Sequence, residues 1–162
     1  MDDLKSLRVA AQIEQIQFEV ETEIQRTLDA QIVAKYLTAK GVYTTDKDEL
    51  LSHLDAGFLA QFPTFVARIV MENGAIPPEV PVAIRKKQFK VRGEIWTVHQ
   101  DDVDPFPSSP HAHNYEQNLV MHLGNGNLYR KRHFIAKANR KRFLELRNRI
   151  DHLALPPLEV DD

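Results

Sequence analysis

The side chains best suited to chemistry are concentrated in one polar segment, residues 98–122, which reads VHQDDVDPFPSSPHAHNYEQNLVMH. It holds four of the seven histidines of the chain, and three prolines stiffen it. A loop this polar and this stiff costs stability unless it serves a function. We therefore predict the functional site here, and its candidate residues are His99, Asp102, His111, His113, Glu116 and His122.

One chemistry open to this segment is metal binding. His111 and His113 are two residues apart, so in an extended segment both imidazoles point to the same side of the chain. Neutral imidazole and carboxylate bind zinc, manganese, iron or nickel, and two histidines with one carboxylate leave positions open for a substrate. The sequence thus indicates either a divalent metal on His111 and His113, with Glu116 or Asp102, or no cofactor at all.

A second chemistry needs no metal. One imidazole removes a proton from a ribose 2′-hydroxyl while another donates a proton to the leaving 5′-oxygen, and histidine suits both roles near neutral pH. In this interpretation His111 and His113 are catalytic, and His99, His122 and Glu116 are further candidates. The chain would then be a histidine-based endoribonuclease of the toxin type.

The strongest charge feature is a basic stretch near the C-terminus. Residues 130–149 carry nine Lys or Arg and one acid, although the formal net charge of the chain is -2. On a helix, residues at i, i+3 and i+4 share one face. We predict a phosphate-binding stripe with salt-dependent affinity, and the alternatives are an acidic protein partner or a solvated face. Its candidate residues are Arg130, Lys131, Arg132, Lys137, Arg140 and Lys141.

The first half of the chain is predicted to be helical. Apolar residues recur at steps of three or four over residues 4–40, which is the helical period, and Gly41 is suited to end the helix. A short helix over residues 46–56 follows, and another opens at Pro63 and ends at residues 73–74.

The second half is predicted to contain the sheet. Three prolines within residues 76–81 predict an extended connector, because proline cannot continue a helix. The β-branched and aromatic residues over 89–98 predict a strand. Apolar spacing over residues 133–153 predicts a last helix, which would carry most of the basic stripe.

A β-hairpin is predicted over residues 118–132. An Asn-Gly pair, Asn125-Gly126, lies between two apolar runs, and this is the strongest short-range hairpin signal. A two-residue turn there would place two pairs of residues opposite each other across the strands, namely Leu123 with Leu128 and His122 with Tyr129.

These elements predict an α+β fold with a helical N-terminal half, a small antiparallel β-sheet and a basic C-terminal helix. The length suits a single domain over residues 1–162. Within it we expect a helical part at 4–74, a proline-rich connector at 76–81, a hairpin and basic-helix part at 84–154, and an acidic tail at 155–162.

The chain contains no cysteine, which excludes disulfides, iron–sulfur clusters, zinc fingers and cysteine nucleophiles. It has neither a secretory-type leader nor an apolar run of about 18 residues, so we expect a cytoplasmic protein without a membrane segment.

Three functions fit these features. The first is a nucleic-acid-acting protein, with RNA as the favoured partner. The second is a metal-dependent small-molecule enzyme. The third is a non-enzymatic subunit that forms an oligomer or complex through its long N-terminal helix.

Overall fold

The structure is a computed structural model that describes residues 2–81, 93–99 and 102–159. Contacts divide the described chain into two compact units, a helical unit that extends to Thr64 and a sheet unit that begins at Phe65. The predicted boundary at the proline-rich connector therefore lies too late in the chain. The single-domain organisation stays a prediction.

Over residues 2–64, the helical unit contains four helices: α1 Asp2–Ile24, α2 Ala30–Ala39, α3 Lys47–Ser52 and α4 Ala56–Leu59. Its core is built from the apolar stripes of the first three helices, because these residues recur at helical spacing. The buried residues include Val9, Ile13, Val20, Val33, Leu37 and Leu50.

The single helix predicted over residues 4–40 is wrong, because the chain breaks between α1 and α2. Gln25 adopts a left-handed φ of 55°, and the carboxylate of Glu21 accepts the backbone N–H of Leu28 at 2.6 Å. Asp29 then caps α2 by accepting two backbone N–H groups of its first turn. The helical spacing of apolar residues continues through the break because α1 and α2 bury their apolar residues in the same core.

In its described residues, the sheet unit contains six strands and one helix: β1 Phe65–Met71, β2 Glu94–His99, β3 His111–Asn114, β4 Leu119–His122, β5 Asn127–Arg130, β6 His133–Lys137 and α5 Arg140–Arg149. The strands pair antiparallel in the order of the chain. Helix α5 contributes Phe143 and Leu146, and its C-cap residue Ile150, to the core that also holds Trp96 and Ala112 of the sheet. The α+β class with a basic C-terminal helix is confirmed.

Two predicted helical segments are strands instead. The segment expected to form a helix from Pro63 contains strand β1, so the helical part of the chain ends well before residue 74. The first residues of the predicted last helix form strand β6. Short apolar runs fit a buried strand as well as a helix, and here pairing with a neighbouring strand decides the outcome. Of the strand predicted over 89–98, residues 89–92 lie outside the described residues.

The predicted hairpin is present, but its register is wrong. The observed partners are Val120 with Tyr129 and Met121 with Leu128, in place of the pairs His122 with Tyr129 and Leu123 with Leu128. The turn is wider because Nδ1 of His122 accepts the backbone N–H groups of Gly124 at 2.9 Å and Asn125 at 3.3 Å. Within the described part of the chain, no helix is long and apolar enough to cross a membrane.

We predict that the carboxylate of Glu94 is a main stabilising contact of the sheet unit. It accepts the backbone N–H groups of Ala75 and Ile76 at 2.8 and 3.1 Å, and the indole N–H of Trp96 at 2.9 Å. Glu94→Ala should lower the free energy of unfolding by about 2 to 4 kcal/mol, because three partly buried donors lose their acceptor. Urea unfolding followed by circular dichroism measures the change.

The matched control is Glu145→Ala, which removes a carboxylate of helix α5 that pairs with Arg142 at 3.0 Å on the surface. A surface ion pair contributes about 0 to 1 kcal/mol, so this variant should unfold close to wild type. Equal stability of the two variants would contradict the role given to Glu94.

Candidate functional site

His111 and His113 lie on the sheet face opposite the face covered by α5. Alternation along β3 places Ala112 in the core, where it is fully buried, and therefore turns His111 and His113 to the other face. His113 is paired with Thr97 of β2 on one side and with Val120 of β4 on the other. Residues 102–110 contact side chains of this same face and supply a carboxylate to it.

Three ligand atoms converge there. Oδ2 of Asp102 lies 2.9 Å from Nε2 of His111 and 2.8 Å from Nε2 of His113. One ligand atom from each residue can be chosen so that all three lie within 4.8 Å of one another. The side chain of His111 is 2% exposed, that of His113 is 19% exposed and that of Asp102 is 26% exposed, so the group is open to solvent on one side.

The orientation of His111 is set by its second ring nitrogen. Nδ1 lies 2.7 Å from the carbonyl oxygen of Ser108, which can only accept, so Nδ1 carries the hydrogen. In the neutral ring Nε2 is then an acceptor that faces the carboxylate of Asp102. Two acceptors at this distance require a proton or a cation between them. Metal-binding histidines are typically held in this way, with the far N–H donating to a carbonyl.

His113 is biased toward its neutral form. Burial lowers the pKa of His113 below its ordinary value of 6.5, and the nearby His111 and His99 lower it further, while the hydrogen bond to Asp102 raises it. A neutral imidazole has the lone pair that a metal ligand needs. The site therefore disfavours a second proton on this ring, which keeps a nitrogen lone pair available to another cation.

The spacing of the three atoms is close to that of a metal site. Zinc–imidazole distances are about 2.0 to 2.1 Å, so tetrahedral ligands around such an ion lie about 3.3 Å apart. The two histidine–aspartate separations, 2.8 and 2.9 Å, are about half an ångström shorter than this value. Two histidines and one carboxylate could thus hold a divalent cation with little rearrangement.

A histidine–tyrosine pair lies beside this group. Nε2 of His99 makes a hydrogen bond with the hydroxyl of Tyr115, and the ring of Tyr115 stacks on that of His113 with centroids 5.2 Å apart. The ring of His99 lies 5.0 Å from that of His113. Tyr115 was not among the predicted residues, although its spacing of two from His113 would have placed it on the same side of an extended chain.

Two candidates contribute no ligand atom to the group of three. His122 is paired with His111 across β3 and β4, but its Nδ1 accepts backbone N–H groups of the β4–β5 turn, and burial lowers its pKa. Glu116 lies in the turn between β3 and β4. The structure places Asp102, and not Glu116, beside His111 and His113.

The basic residues do not form one stripe. Lys137 belongs to β6, so it does not share a helix face with Arg140 and Lys141 of α5. The guanidinium of Arg130 donates to the backbone carbonyls of Pro81 and Gln117, which gives it a structural role. The predicted helical stripe of Lys137, Arg140 and Lys141 is therefore wrong.

The end of the sheet near the site does carry exposed charge. Lys131 and Arg132 form the turn between β5 and β6 and are both exposed. Arg132 donates to Oδ2 of Asp104 at 2.7 Å, two residues along the chain from Asp102. Among the described side chains, Arg132 is thus the predicted basic residue that pairs with a carboxylate of the histidine segment.

We predict that Asp102→Asn lowers the pKa of His113 further in EDTA-treated protein. The substitution removes the negative charge that raises this pKa, while the burial that lowers it remains. NMR titration of the histidine side chains measures the shift in this pKa.

The lowered pKa of His113 also makes stability depend on pH. In the folded protein His113 binds its proton more weakly than it does in the unfolded chain. Its contribution to the free energy of unfolding therefore increases with pH up to about 6.5.

The exposed side chain of His152, which lies after α5, provides an internal control for the NMR titration. Its signals should not respond to Asp102→Asn. A raised pKa of His113 in the variant would contradict the arrangement described for Asp102.

Comparisons with protein-family models, with curated proteins and with solved structures found no match to this chain.

Proposed function

We propose that this protein is a divalent-metal-dependent hydrolase whose metal is held by Asp102, His111 and His113. The observation that supports this is the convergence of two imidazole nitrogens and one carboxylate oxygen, with separations of 2.8 and 2.9 Å, at a partly exposed place. Three protein ligands with open positions are typical of catalytic metal sites, whereas structural sites are usually closed by four.

The surrounding residues have distinct roles in this proposal. A divalent cation held by these three residues would lower the pKa of a water molecule and polarise a substrate oxygen. The Ser108 carbonyl holds His111 in the tautomer that offers Nε2. Asp102 and His113 are the more exposed members and form the side that a substrate reaches. The hydroxyl of Tyr115, hydrogen-bonded to His99, is placed to hold or transfer a proton next to His113.

A metal-free pair of catalytic histidines has less support. Such a mechanism needs two imidazoles on opposite sides of a phosphodiester, each in contact with a different oxygen of the substrate. Here the Nε2 atoms of His111 and His113 face the same oxygen of Asp102, and the side chain of His111 is only 2% exposed. The geometry therefore favours a shared cation over separate proton transfers by these two rings.

For its location we propose the cytoplasm. The chain lacks cysteine altogether, and secreted domains of modest size commonly depend on disulfides. Localisation of the protein with a small C-terminal epitope tag would test this, and recovery in the secreted fraction would contradict it.

We predict that untagged protein, stripped with EDTA, binds one zinc or manganese ion. Isothermal titration calorimetry should give a 1:1 stoichiometry for wild type. His111→Ala, His113→Ala and Asp102→Asn should each weaken the affinity by at least about 10- to 100-fold, since each removes a direct ligand and even second-shell changes cost this much.

The matched control is His152→Ala, which removes an exposed histidine outside the group and should bind metal as wild type does. Circular dichroism of every variant establishes that the fold is retained. The proposal fails if wild type binds neither ion, or if Asp102→Asn binds with wild-type affinity.

A further inference from the structure

The face that carries the candidate metal site continues as a row of side chains across four strands. In register, His113 is paired with Val120, Val120 with Tyr129, and Tyr129 with Phe134. Neighbouring strands lie about 4.8 Å apart, so the row extends about 14 Å from His113 to the edge strand β6. One continuous surface therefore connects the metal site with the edge of the sheet.

The far part of this row is aromatic. The ring of Phe106, from the loop before β3, meets that of Tyr129 edge to face with centroids 4.9 Å apart. The ring of Tyr129 meets that of Phe134 in the same way at 6.0 Å. Phe134 is 55% exposed. Phe134 continues the row formed by Phe106 and Tyr129. Because it is so exposed, its ring is accessible to a ligand from solvent.

Cations border the aromatic rings. The guanidinium of Arg132 lies 4.8 Å from the centre of the Phe106 ring, and its side chain is 64% exposed. Lys131 and Arg132 form the β5–β6 turn with left-handed φ angles of 49° and 66°. Such a turn is normally made by Asn and Gly, because long side chains are disfavoured at positive φ. Two cations in this backbone conformation suggest a functional reason for the turn.

From this arrangement we infer that the substrate of the site is a single-stranded nucleic acid bound along the row from His113 to Phe134. The inference rests on the proposed hydrolase and names its substrate class. Exposed aromatic rings beside cations bind single strands, because unpaired bases stack on the rings while Arg and Lys contact the phosphates. A duplex hides the base faces that this surface would bind.

The reaction then follows from the position of the metal site at one end of the row. A strand stacked on Phe134 and Tyr129, with a phosphate at Arg132, directs a neighbouring phosphodiester toward Asp102, His111 and His113. Hydrolysis consumes one water molecule. Its oxygen forms a bond to phosphorus, the bond from phosphorus to the leaving sugar oxygen breaks, and one proton of the water passes to that leaving oxygen.

The test measures binding separately from cleavage. Fluorescence anisotropy in EDTA, with labelled oligonucleotides of about 12 nucleotides, compares single-stranded RNA, single-stranded DNA and an RNA duplex. Wild type should bind the single strands more tightly than the duplex. Phe134→Ala should weaken single-strand binding about tenfold, as expected for loss of one stacked base. Arg132→Gln should weaken it as well and reduce the salt slope by about one.

Two control variants carry matched changes away from the row. Tyr43→Ala removes an aromatic residue that is 55% exposed in the helical unit, and Lys35→Ala removes an exposed cation of α2. Both should bind as wild type does. Phe134→Leu keeps an apolar side chain without the ring and should also bind weakly, which separates loss of stacking from loss of fold.

The outcomes for the surface and for the metal site are distinguishable. The inference would be overturned by any of three results: wild type does not bind single strands below about 100 μM, it binds the duplex equally well, or Phe134→Ala and Arg132→Gln bind with wild-type affinity. In those cases the calorimetric titration would still test the metal site independently. When manganese is restored, Asp102→Asn should still bind the strand but not cleave it, and cleavage by this variant counts against the metal site alone.

Discussion

The candidate site depends on the register of β3 between its two neighbours. Val98 opposes Ala112 on one side and Met121 opposes it on the other, and all three residues are completely buried in the core of the sheet unit. Because side chains alternate along a strand, this burial forces His111 and His113 to the opposite face. A slip of one residue would put both histidines into the core and expose Ala112, so the apolar face maintains the position of the polar one.

The loop before β3 completes the site because it is fastened at several points. The hydroxyl of Ser108 donates to the carbonyl of Pro110 at 2.7 Å and accepts the backbone N–H of Leu123 at 3.0 Å, while its carbonyl accepts Nδ1 of His111. At the other end of the loop, Asp104 holds Arg132. These contacts keep Asp102 over the histidines, so one polar network positions the carboxylate and orients its imidazole partner.

The same face combines two kinds of chemistry that would serve one substrate. Its inner part carries imidazole and carboxylate groups that suit a divalent cation, and its outer part carries Tyr129, Phe134 and the exposed Arg132. The proposed hydrolase requires only the inner part. The aromatic and cationic part supplies a physical reason for substrate selection, because stacking and phosphate contacts would align a flexible strand before any reaction.

By itself, the amino-acid sequence determined the features that arise from local spacing: the shared side of His111 and His113, the α+β class, the hairpin and the basic C-terminal helix. The same alternation of side chains places Tyr115, two residues after His113, on the side shared by the two histidines. Only the tertiary structure decided which carboxylate joins the histidines, since Asp102 reaches them through a folded loop and Glu116, although nearer to His113 in the sequence, does not. Strand pairing, a long-range interaction, likewise decided that β1 and β6 are strands, because short apolar runs have no unique local period.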